Sequence, residues 1–170
     1  NGLLSEHGKF MAVNCSEYAN NPELLTANLF GYVKGAFTGA DQNKAGLIEL
    51  ANGGVLFLDE VHNLKAECQE KLFQFMDRSI YHKVGDNETW YTSKVRLILA
   101  TTEPPEEVLL KTLQRRIPMT ITVPTLKQRG VQEKVQLLYA MFKEEEQRLR
   151  KTIHISTKVY NILLSHDFTG

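Results

Sequence analysis

Four short apolar runs, separated by segments of a different periodicity, constrain the fold of this chain more than any other feature of its sequence. Each run is rich in Val, Ile, Leu or Phe and is bounded by polar residues or turn formers, so each predicts a buried strand. The segments between them carry apolar residues at steps of three and four, which indicates helices. This alternation favours an α/β fold, with a parallel sheet covered by helices on both faces. The predicted strands are residues 9–15, 53–59, 94–102 and 119–125.

The segments between the strands carry their own local signals. Asn21 followed by Pro22 is typical of a helix start, with a capping side chain and a proline in the first turn. Residues 81–97 alternate on either side of a Gly-Asp-Asn turn, which predicts a hairpin before the third strand. One further helix is predicted from the spacing of Leu64, Cys68, Leu72, Phe75 and Ser79.

After Pro124 the pattern becomes wholly helical. Ser156 is expected to cap the final helix. We therefore predict an α/β core over residues 1–126 and the start of a helical subdomain over residues 127–170. The expected inward residues of the two long helices are Val131, Val135, Leu138, Phe142, Val159, Ile162 and Leu163.

Charge and cysteine content exclude several classes of protein. Lys+Arg and Asp+Glu both number 20 in the 170 residues, so no net charge attracts the chain to nucleic acid or to an anionic membrane. The two cysteines form no CxxC pattern, which disfavours a disulfide framework or a zinc site and fits a reducing compartment. No apolar run approaches the roughly 20 residues of a membrane-spanning helix. We expect a cytoplasmic domain without a membrane contact.

The second predicted strand ends in two adjacent carboxylates, Asp59 and Glu60. In open α/β sheets the ligand crevice lies at the carboxyl ends of the strands. Phosphoryl transfer uses such a pair, because one carboxylate holds Mg²⁺ and the next orients and deprotonates the attacking water. A strand that ends in a solvated polar turn is the alternative interpretation of these two residues.

Four motifs follow one another along the whole chain: LFGYVKGAFTGA, ELANGGVLFLDEV, VRLILATT and VPTLKQR. In this order they resemble the central AAA+ domain of sigma-54-dependent transcription activators. GAFTGA is highly specific for that family, whereas a strand ending in Asp-Glu is common. Thr-Thr at the end of the third strand and the stretch LLKTLQRRIPMTI look more like the levan-operon-regulator branch, whose members carry phosphotransferase-system regulatory domains outside this module.

The resemblance implies an AAA+ P-loop-type sheet flanked by helices, with the start of a C-terminal helical lid, and a role for each polar residue at the sheet edge. Asp59 would hold Mg²⁺, and Glu60 would activate water for ATP hydrolysis. Asn14 would restrain Glu60 through its amide until nucleotide and partner are in place. Thr101 and Thr102 stand where the family senses the γ-phosphate, with Thr102 in place of the usual asparagine.

The family also supplies arginine fingers to the neighbouring subunit, and Arg115 and Arg116 lie in that region. A guanidinium that crosses a subunit boundary can neutralise charge on the transferred phosphate. Arg115 aligns with the second of two family arginines, and the first falls on Leu109. Either this branch uses the adjacent pair or one finger is enough. A surface pair that contacts solvent or a local acid is the alternative.

In the family, the GAFTGA segment is the tip of a loop that rises when nucleotide is bound and contacts sigma-54. Small residues make such a tip mobile, while Phe37 and Thr38 offer one apolar and one hydrogen-bonding contact. The alternative is that Phe37 belongs to the core of its own domain. The predicted sigma-54-binding residues are Gly35, Ala36, Phe37, Thr38, Gly39 and Ala40.

Two further groups receive simpler interpretations. His62 has no second histidine nearby and is expected to be a helix-start residue rather than a metal ligand or an acid-base group. Tyr81, Trp90 and Tyr91 could stack on single-stranded nucleic acid, but few basic residues accompany them. Hairpin packing, or a second loop that faces a partner, is the favoured interpretation.

The sequence contains no GxxxxGK[ST] phosphate loop, which the family places upstream of Asn1, and the family's second sensor arginine would lie beyond Gly170. We therefore expect a fragment whose full-length parent binds ATP and Mg²⁺ in a ring, a hexamer by resemblance, while the chain alone binds neither. DNA would be contacted only by domains outside it. The rival interpretations are a non-hydrolysing AAA+-like assembly module and a different AAA+ machine, such as a helicase loader or a protein unfoldase.

Overall fold

A computed structural model of the chain describes residue 5 and residues 7–166. Contacts divide the chain into two compact units, Asn1–Pro118 and Met119–Gly170. The domain boundary at residue 126 stays a prediction. The strands are β1 (Phe10–Asn14), β2 (Gly31–Tyr32), β3 (Lys44–Ala45), β4 (Val55–Asp59), β5 (Ile80–Tyr81), β6 (Tyr91–Thr92) and β7 (Arg96–Leu99). The helices are α1 (Pro22–Phe30), α2 (Leu47–Leu50), α3 (Ala66–Arg78), α4 (Pro105–Val108), α5 (Lys111–Gln114), α6 (Leu126–Arg129), α7 (Val131–Leu149) and α8 (Thr157–Ser165).

The first unit is built on a parallel three-stranded sheet in the order β1-β4-β7. Three of the four predicted strands are therefore confirmed. The register pairs Met11 with Leu56, and Leu56 with Leu97, so these three residues share one face of the sheet. Residues of α1, α3 and α5 pack against that face and form the core with it.

The opposite face of the sheet differs from the prediction that helices cover both sides. Phe10 is 65% exposed and Ile98 is 43% exposed, although both belong to central runs of apolar residues. The rings of Phe10 and Phe57 stack on this face, with 6.4 Å between their centroids. The core helices pack against the face that carries Met11, Leu56 and Leu97. On the opposite face, Phe10 contacts the ring of Phe57 on the neighbouring strand.

The fourth predicted strand, residues 119–125, is wrong. The segment has no regular structure, and Met119, Ile121 and Val123 are 70%, 73% and 71% exposed. Within the part of the chain that the structure describes, its backbone pairs with no strand. An alternating apolar pattern forms a strand only when a neighbour takes up its backbone hydrogen bonds, and no such neighbour is present.

The helix signals of the first unit are confirmed. The Asn21 side chain accepts a hydrogen bond from the Leu24 amide at 3.2 Å and so caps α1. Helix α3 buries Cys68, Leu72 and Phe75 of the predicted set, whereas Ser79 is exposed at the end of the helix. The helix also buries Gln69, whose amide nitrogen donates to the carbonyls of Leu64 and Val108 at 3.0 and 3.1 Å. The Gln69 side-chain oxygen accepts from the Leu110 amide at 2.7 Å. This buried amide therefore ties α3 to the chain that leads into α5.

Two short hairpins project from the sheet and meet each other. Strands β2 and β3 pair antiparallel, and so do β5 and β6, as predicted for residues 81–97. Backbone hydrogen bonds from Val33 to Val84 (3.1 Å) and from Val84 to Gly31 (2.9 Å) connect the loops of the two hairpins. The segment after β2 is thus held by the segment after β5.

The second unit is helical, with a small interior. Ser156 caps α8 as predicted, since its hydroxyl oxygen accepts from the Val159 amide at 3.4 Å. Leu138 of the predicted stripe is buried, but Val131, Val159 and Ile162 are exposed, contrary to prediction. The spacing of apolar residues identifies the apolar face of each helix, but it does not show whether another part of the protein covers that face. None of the helices that the structure describes is both long and apolar enough to span a bilayer.

Candidate functional site

The carboxyl ends of β1, β4 and β7 bring most of the predicted catalytic and nucleotide-binding residues to one edge of the sheet. Asn14 lies opposite Asp59 in the β1-β4 register. Thr101 and Thr102 follow β7, whose end is joined to β4 by a hydrogen bond from the Ala100 amide to the Leu58 carbonyl (2.8 Å). A cavity of about 320 Å³ opens beside this edge and is lined in part by Asn14 and Asp59.

Glu60 leaves the strand in a left-handed backbone conformation, with φ 52° and ψ 47°. Such a conformation costs a non-glycine residue about 1–3 kcal/mol and is found most often at functional sites. Local hydrogen bonds hold it. The Glu60 amide donates to Asp59 Oδ1 at 3.0 Å, and the Glu60 carbonyl accepts from the amide and from the side chain of Asn63 at 3.0 and 3.1 Å.

The Glu60 carboxylate lies between two polar side chains. The Thr102 hydroxyl donates to Glu60 Oε2 at 3.1 Å, and Nδ1 of His62 lies 3.2 Å from the same oxygen. Side-chain exposures of 27% for His62 and 26% for Glu60 leave both groups open to a ligand. Sequence reasoning placed Thr102 at this edge, but it missed the contacts of Thr102 and His62 with Glu60.

Asn14 makes a different contact from the one that the resemblance implies. Its side-chain oxygen accepts from the Ser16 amide at 2.9 Å and so caps the 3₁₀ turn Cys15–Tyr18. No hydrogen bond joins Asn14 to Glu60 within the described part of the chain. The restraint of Glu60 by Asn14 stays a prediction.

The Asp59 carboxylate is suited to bind a magnesium ion whose other ligands are phosphate and water. The Oδ1 atom of Asp59 accepts from the Glu60 amide, no hydrogen bond from the described residues reaches Oδ2, and the residue lines the cavity. Mg²⁺ commonly binds one or two protein carboxylates and completes its octahedron with phosphate and water. Among the residues that the structure describes, no three acidic, histidine or cysteine side chains cluster as a complete metal cage.

The two arginines of the predicted finger differ in their surroundings. Arg116 forms a two-pronged ion pair with Asp77, from Nε to Oδ1 and from Nη2 to Oδ2 (3.0 Å), and its guanidinium lies 4.9 Å from the ring of Phe73. The hydrogen bond from Arg116 lowers the pKa of the Asp77 carboxyl. Arg115 is exposed, and its side chain contacts no charged or polar partner that the structure describes. Leu109, at the other family arginine position, is buried.

The GAFTGA segment forms a tight loop after β2. Its ends are closed by a hydrogen bond from the Gly35 amide to the Ala40 carbonyl (2.8 Å). Gly35 and Gly39 have φ of 80° and 95°, which L-residues rarely adopt. Phe37 is 39% exposed and rests edge-on against the ring of Tyr32 rather than in the core, while Thr38 is exposed.

The second hairpin packs directly behind this loop. A methyl group at Gly85 would lie 2.6 Å from the Cβ of Ala36, so only glycine allows the observed approach. Tyr81 is buried against Phe75 and Tyr91, as the hairpin-packing interpretation expects. Trp90 stays 56% exposed, with its ring 3.8 Å from that of His82.

Comparison with known proteins agrees with this geometry. The sequence model of the Sigma-54 interaction domain family matches residues 3–126. The chain is 48% identical over 162 residues to the transcriptional regulatory protein LevR of Bacillus subtilis. The aligned region covers 95% of this chain and 17% of LevR. The chain is 45% identical over 157 residues to the transcriptional regulatory protein DagR of Salmonella typhimurium, covering 92% of this chain and 17% of that protein.

A solved structure shares the fold. The crystal structure of NtrX from Brucella abortus in complex with ADP superposes with a TM-score of 0.81 at 25% identity, over 95% of this chain and 35% of that one. The predicted α/β fold of the AAA+ type is thereby confirmed, as is the resemblance to the levan-regulator branch. The chain spans about one sixth of the length of LevR and DagR.

Proposed function

The chain belongs to the sigma-54 interaction domain family, and from that premise we propose that it is the ATPase module of a bacterial transcription activator. Hydrolysis of ATP in the longer protein would move the loop Gly35–Ala40 against sigma-54 and remodel the promoter complex. The observation that carries this proposal is the placement of Glu60, which stands beside Asp59 at the strand ends with its carboxylate held by Thr102.

The roles at the sheet edge follow from the chemistry of each side chain. Asp59 would hold Mg²⁺ through its free oxygen, and the ion offsets negative charge on the phosphates. Glu60 would take the proton of the attacking water, a contribution of about 10²–10⁴ in rate for a well-placed general base. Thr102 would orient Glu60 and so connect it to the end of β7. The ADP complex of NtrX supports nucleotide binding by a domain of this fold.

Of the two arginines, we assign the trans-acting role to Arg115. Arg116 is occupied by Asp77 and Phe73 within its own unit, so moving it to a neighbour would break an ion pair and a ring contact. Arg115 is exposed and can be presented to the nucleotide of a second subunit without such a loss. This assignment requires a ring or another assembly in which one subunit's Arg115 faces the next subunit's site.

The loop around Phe37 is the proposed sigma-54 contact. It displays an apolar ring and a hydroxyl at the end of a narrow turn, and its glycines allow a change of backbone conformation. Aromatic side chains are common anchors of protein interfaces. Contact with DNA is assigned to domains outside this chain.

The decisive experiment is Glu60→Gln in a full-length protein that carries this chain. The amide keeps the shape of the side chain and removes the base, so ATP binding should persist while phosphate release falls at least about 100-fold. Glu106→Gln, at an exposed carboxylate on α4, is the matched control and should hydrolyse ATP normally. Unchanged turnover by the Glu60 variant would refute the assignment. A wild-type protein that activates transcription without hydrolysing ATP would instead identify a non-hydrolysing assembly module.

A further inference from the structure

We infer that His62 is a positioning residue for the general base Glu60, an inference that rests on the proposed ATPase function. His62 lies in the 3₁₀ turn Val61–Asn63 directly after Glu60, where sequence reasoning expected only a helix-start residue. Its Nδ1 atom lies 3.2 Å from Glu60 Oε2 and 3.4 Å from the hydroxyl oxygen of Thr101. Nδ1 of His62 thus lies between the carboxylate of Glu60, after β4, and the hydroxyl of Thr101, two residues after the end of β7.

Two oxygen atoms lie near Nδ1 of His62, and we assign the tautomer that carries a hydrogen on this nitrogen. A carboxylate can only accept a hydrogen bond, so Nδ1 is the donor in its contact with Glu60. The Thr101 hydroxyl lies 3.3 Å from the Glu103 carbonyl, and its oxygen accepts from the Glu103 amide at 3.1 Å. The Thr101 oxygen is then the second acceptor beside Nδ1.

The backbone keeps the imidazole in this place. Besides the bonds that hold the left-handed Glu60, the Val61 amide donates to the Ala100 carbonyl at 3.0 Å and the Leu64 amide donates to the Val61 carbonyl at 3.0 Å. Val61 itself is fully buried in the core. The turn that carries His62 is therefore fixed to the same two strands as Glu60 and Thr102, so the imidazole can leave the carboxylate only by rotation of one of the two side chains.

The contacts of His62 and Thr102 converge on a single carboxylate oxygen. Both approach Oε2, and no hydrogen bond from the described residues reaches Oε1. A carboxylate held through one oxygen has a fixed plane, and the other oxygen stays available to accept a proton from water. His62 contacts Glu60 and not the substrate, so it acts by fixing the orientation of the base.

The test is steady-state ATP hydrolysis by the full-length protein with substitutions at position 62. His62→Phe keeps an aromatic ring and removes the nitrogen, and it should lower kcat about tenfold, a fraction of the 10²–10⁴ that a general base supplies, with KM changed less than about twofold. His62→Asn restores an N–H donor near the position of Nδ1 and should recover kcat to within about threefold of wild type. His7→Phe, at an exposed histidine remote from the site, should have no effect.

Two further measurements separate positioning from folding. Thermal melting and ATP affinity should match wild type for the Phe and Asn variants, and Thr101→Val, which removes the second acceptor of the imidazole, should lower kcat by about threefold. In a Glu60→Gln background, His62→Phe should cause no additional loss, because a residue that acts through Glu60 has nothing left to position. If the Phe variant does not fold, the Asn and Thr101 variants provide the test.

The outcomes distinguish this inference from the proposed function. Loss of turnover in Glu60→Gln, together with unchanged or increased kcat in His62→Phe, would overturn the role of His62 and leave the ATPase assignment standing. Equal losses in the Phe and Asn variants would also overturn it, since the donor would then be irrelevant. Normal turnover in Glu60→Gln would refute the proposed function itself, whatever the His62 variants do.

Discussion

The ring of Phe37 meets the ring of Tyr32 edge-on, with 4.9 Å between the two centroids and 62° between the planes. Such pairs contribute about 0.5–1.5 kcal/mol beyond the area they bury. Phe37, the aromatic residue of the GAFTGA loop, is therefore held only weakly by this ring contact with its own domain. A partner that binds Phe37 must offset this contact energy and the partial burial of the ring to draw it away.

Phe37→Ala and Thr38→Ala should separate hydrolysis from activation. Phe37 rests on Tyr32 and Thr38 is exposed, and no hydrogen bond among the described residues joins either one to Glu60, so ATP turnover in the full-length protein should stay within about twofold of wild type. Open-complex formation with sigma-54 polymerase should be lost. Leu50→Ala, at another exposed apolar residue of the same unit, serves as the control and should activate normally. Normal activation by either loop variant would mean that the loop has been misinterpreted.

Arg115→Ala should abolish hydrolysis in a way that a second subunit can rescue. Mixing Arg115→Ala subunits with Glu60→Gln subunits creates interfaces in which an intact arginine faces an intact glutamate, so phosphate release should exceed that of either variant alone. Arg116→Ala should instead leave hydrolysis close to wild type and lower stability only slightly, because the lost ion pair with Asp77 is exposed. Rescue by mixing that appears for Arg116 and not for Arg115 would reverse the assignment.

Gly85→Ala should disturb the GAFTGA loop from behind. The new methyl group would lie 2.6 Å from the Cβ and 2.9 Å from the Cα of Ala36, and φ at Gly85 is 83°. Gly35→Ala has a similar φ of 80° but meets nothing within 4 Å, which makes it the matched control. We expect Gly85→Ala to be less stable than Gly35→Ala by about 1–3 kcal/mol in urea unfolding, the cost of overpacking. Equal losses would show that the contact with Ala36 carries no energy.

Gln69→Leu should destabilise the first unit strongly. The side chain is 3% exposed and bonds to three backbone groups, so leucine would remove a partner from one buried carbonyl, one half-buried carbonyl and one half-buried amide. Each such group costs about 1–3 kcal/mol. Gln74→Leu, at an exposed position of the same helix, should change the free energy of unfolding by less than about 0.5 kcal/mol. A similar midpoint for both variants in urea would contradict this account.

The sequence predicted the sheet because its signals are local. A run such as that of β4 carries its apolar residues, its turn formers and its terminal acids within eight positions, and the structure places them as expected. The segment 119–125 shows the limit of this reasoning, since its apolar alternation resembles a strand but none of the residues that the structure describes pairs with it. Strand formation depends on partners that periodicity cannot specify.

The candidate site was predictable in its membership and not in its contacts. Because the carboxyl ends of parallel strands lie at one edge of a sheet, the sequence predicted that Asp59, Glu60 and Thr102 lie close together. The approach of His62 to Glu60 depends on the left-handed conformation at position 60 and on the tight turn after it, and no residue type at these positions signals either one. The difference between Arg115 and Arg116 likewise depends on Asp77, which lies 39 positions away from Arg116 along the chain.

The left-handed backbone of Glu60 lowers the stability of the fold at the same position where the proposed function requires a glutamate for turnover. Asparagine tolerates this region of conformational space far better than glutamate does, because its short side chain bonds locally to the backbone. A chain selected only for thermal resistance would therefore discard the glutamate. Under the proposed ATPase function the glutamate is retained here for its carboxylate, and Glu60→Asn should be inactive and should melt at a higher temperature than wild type.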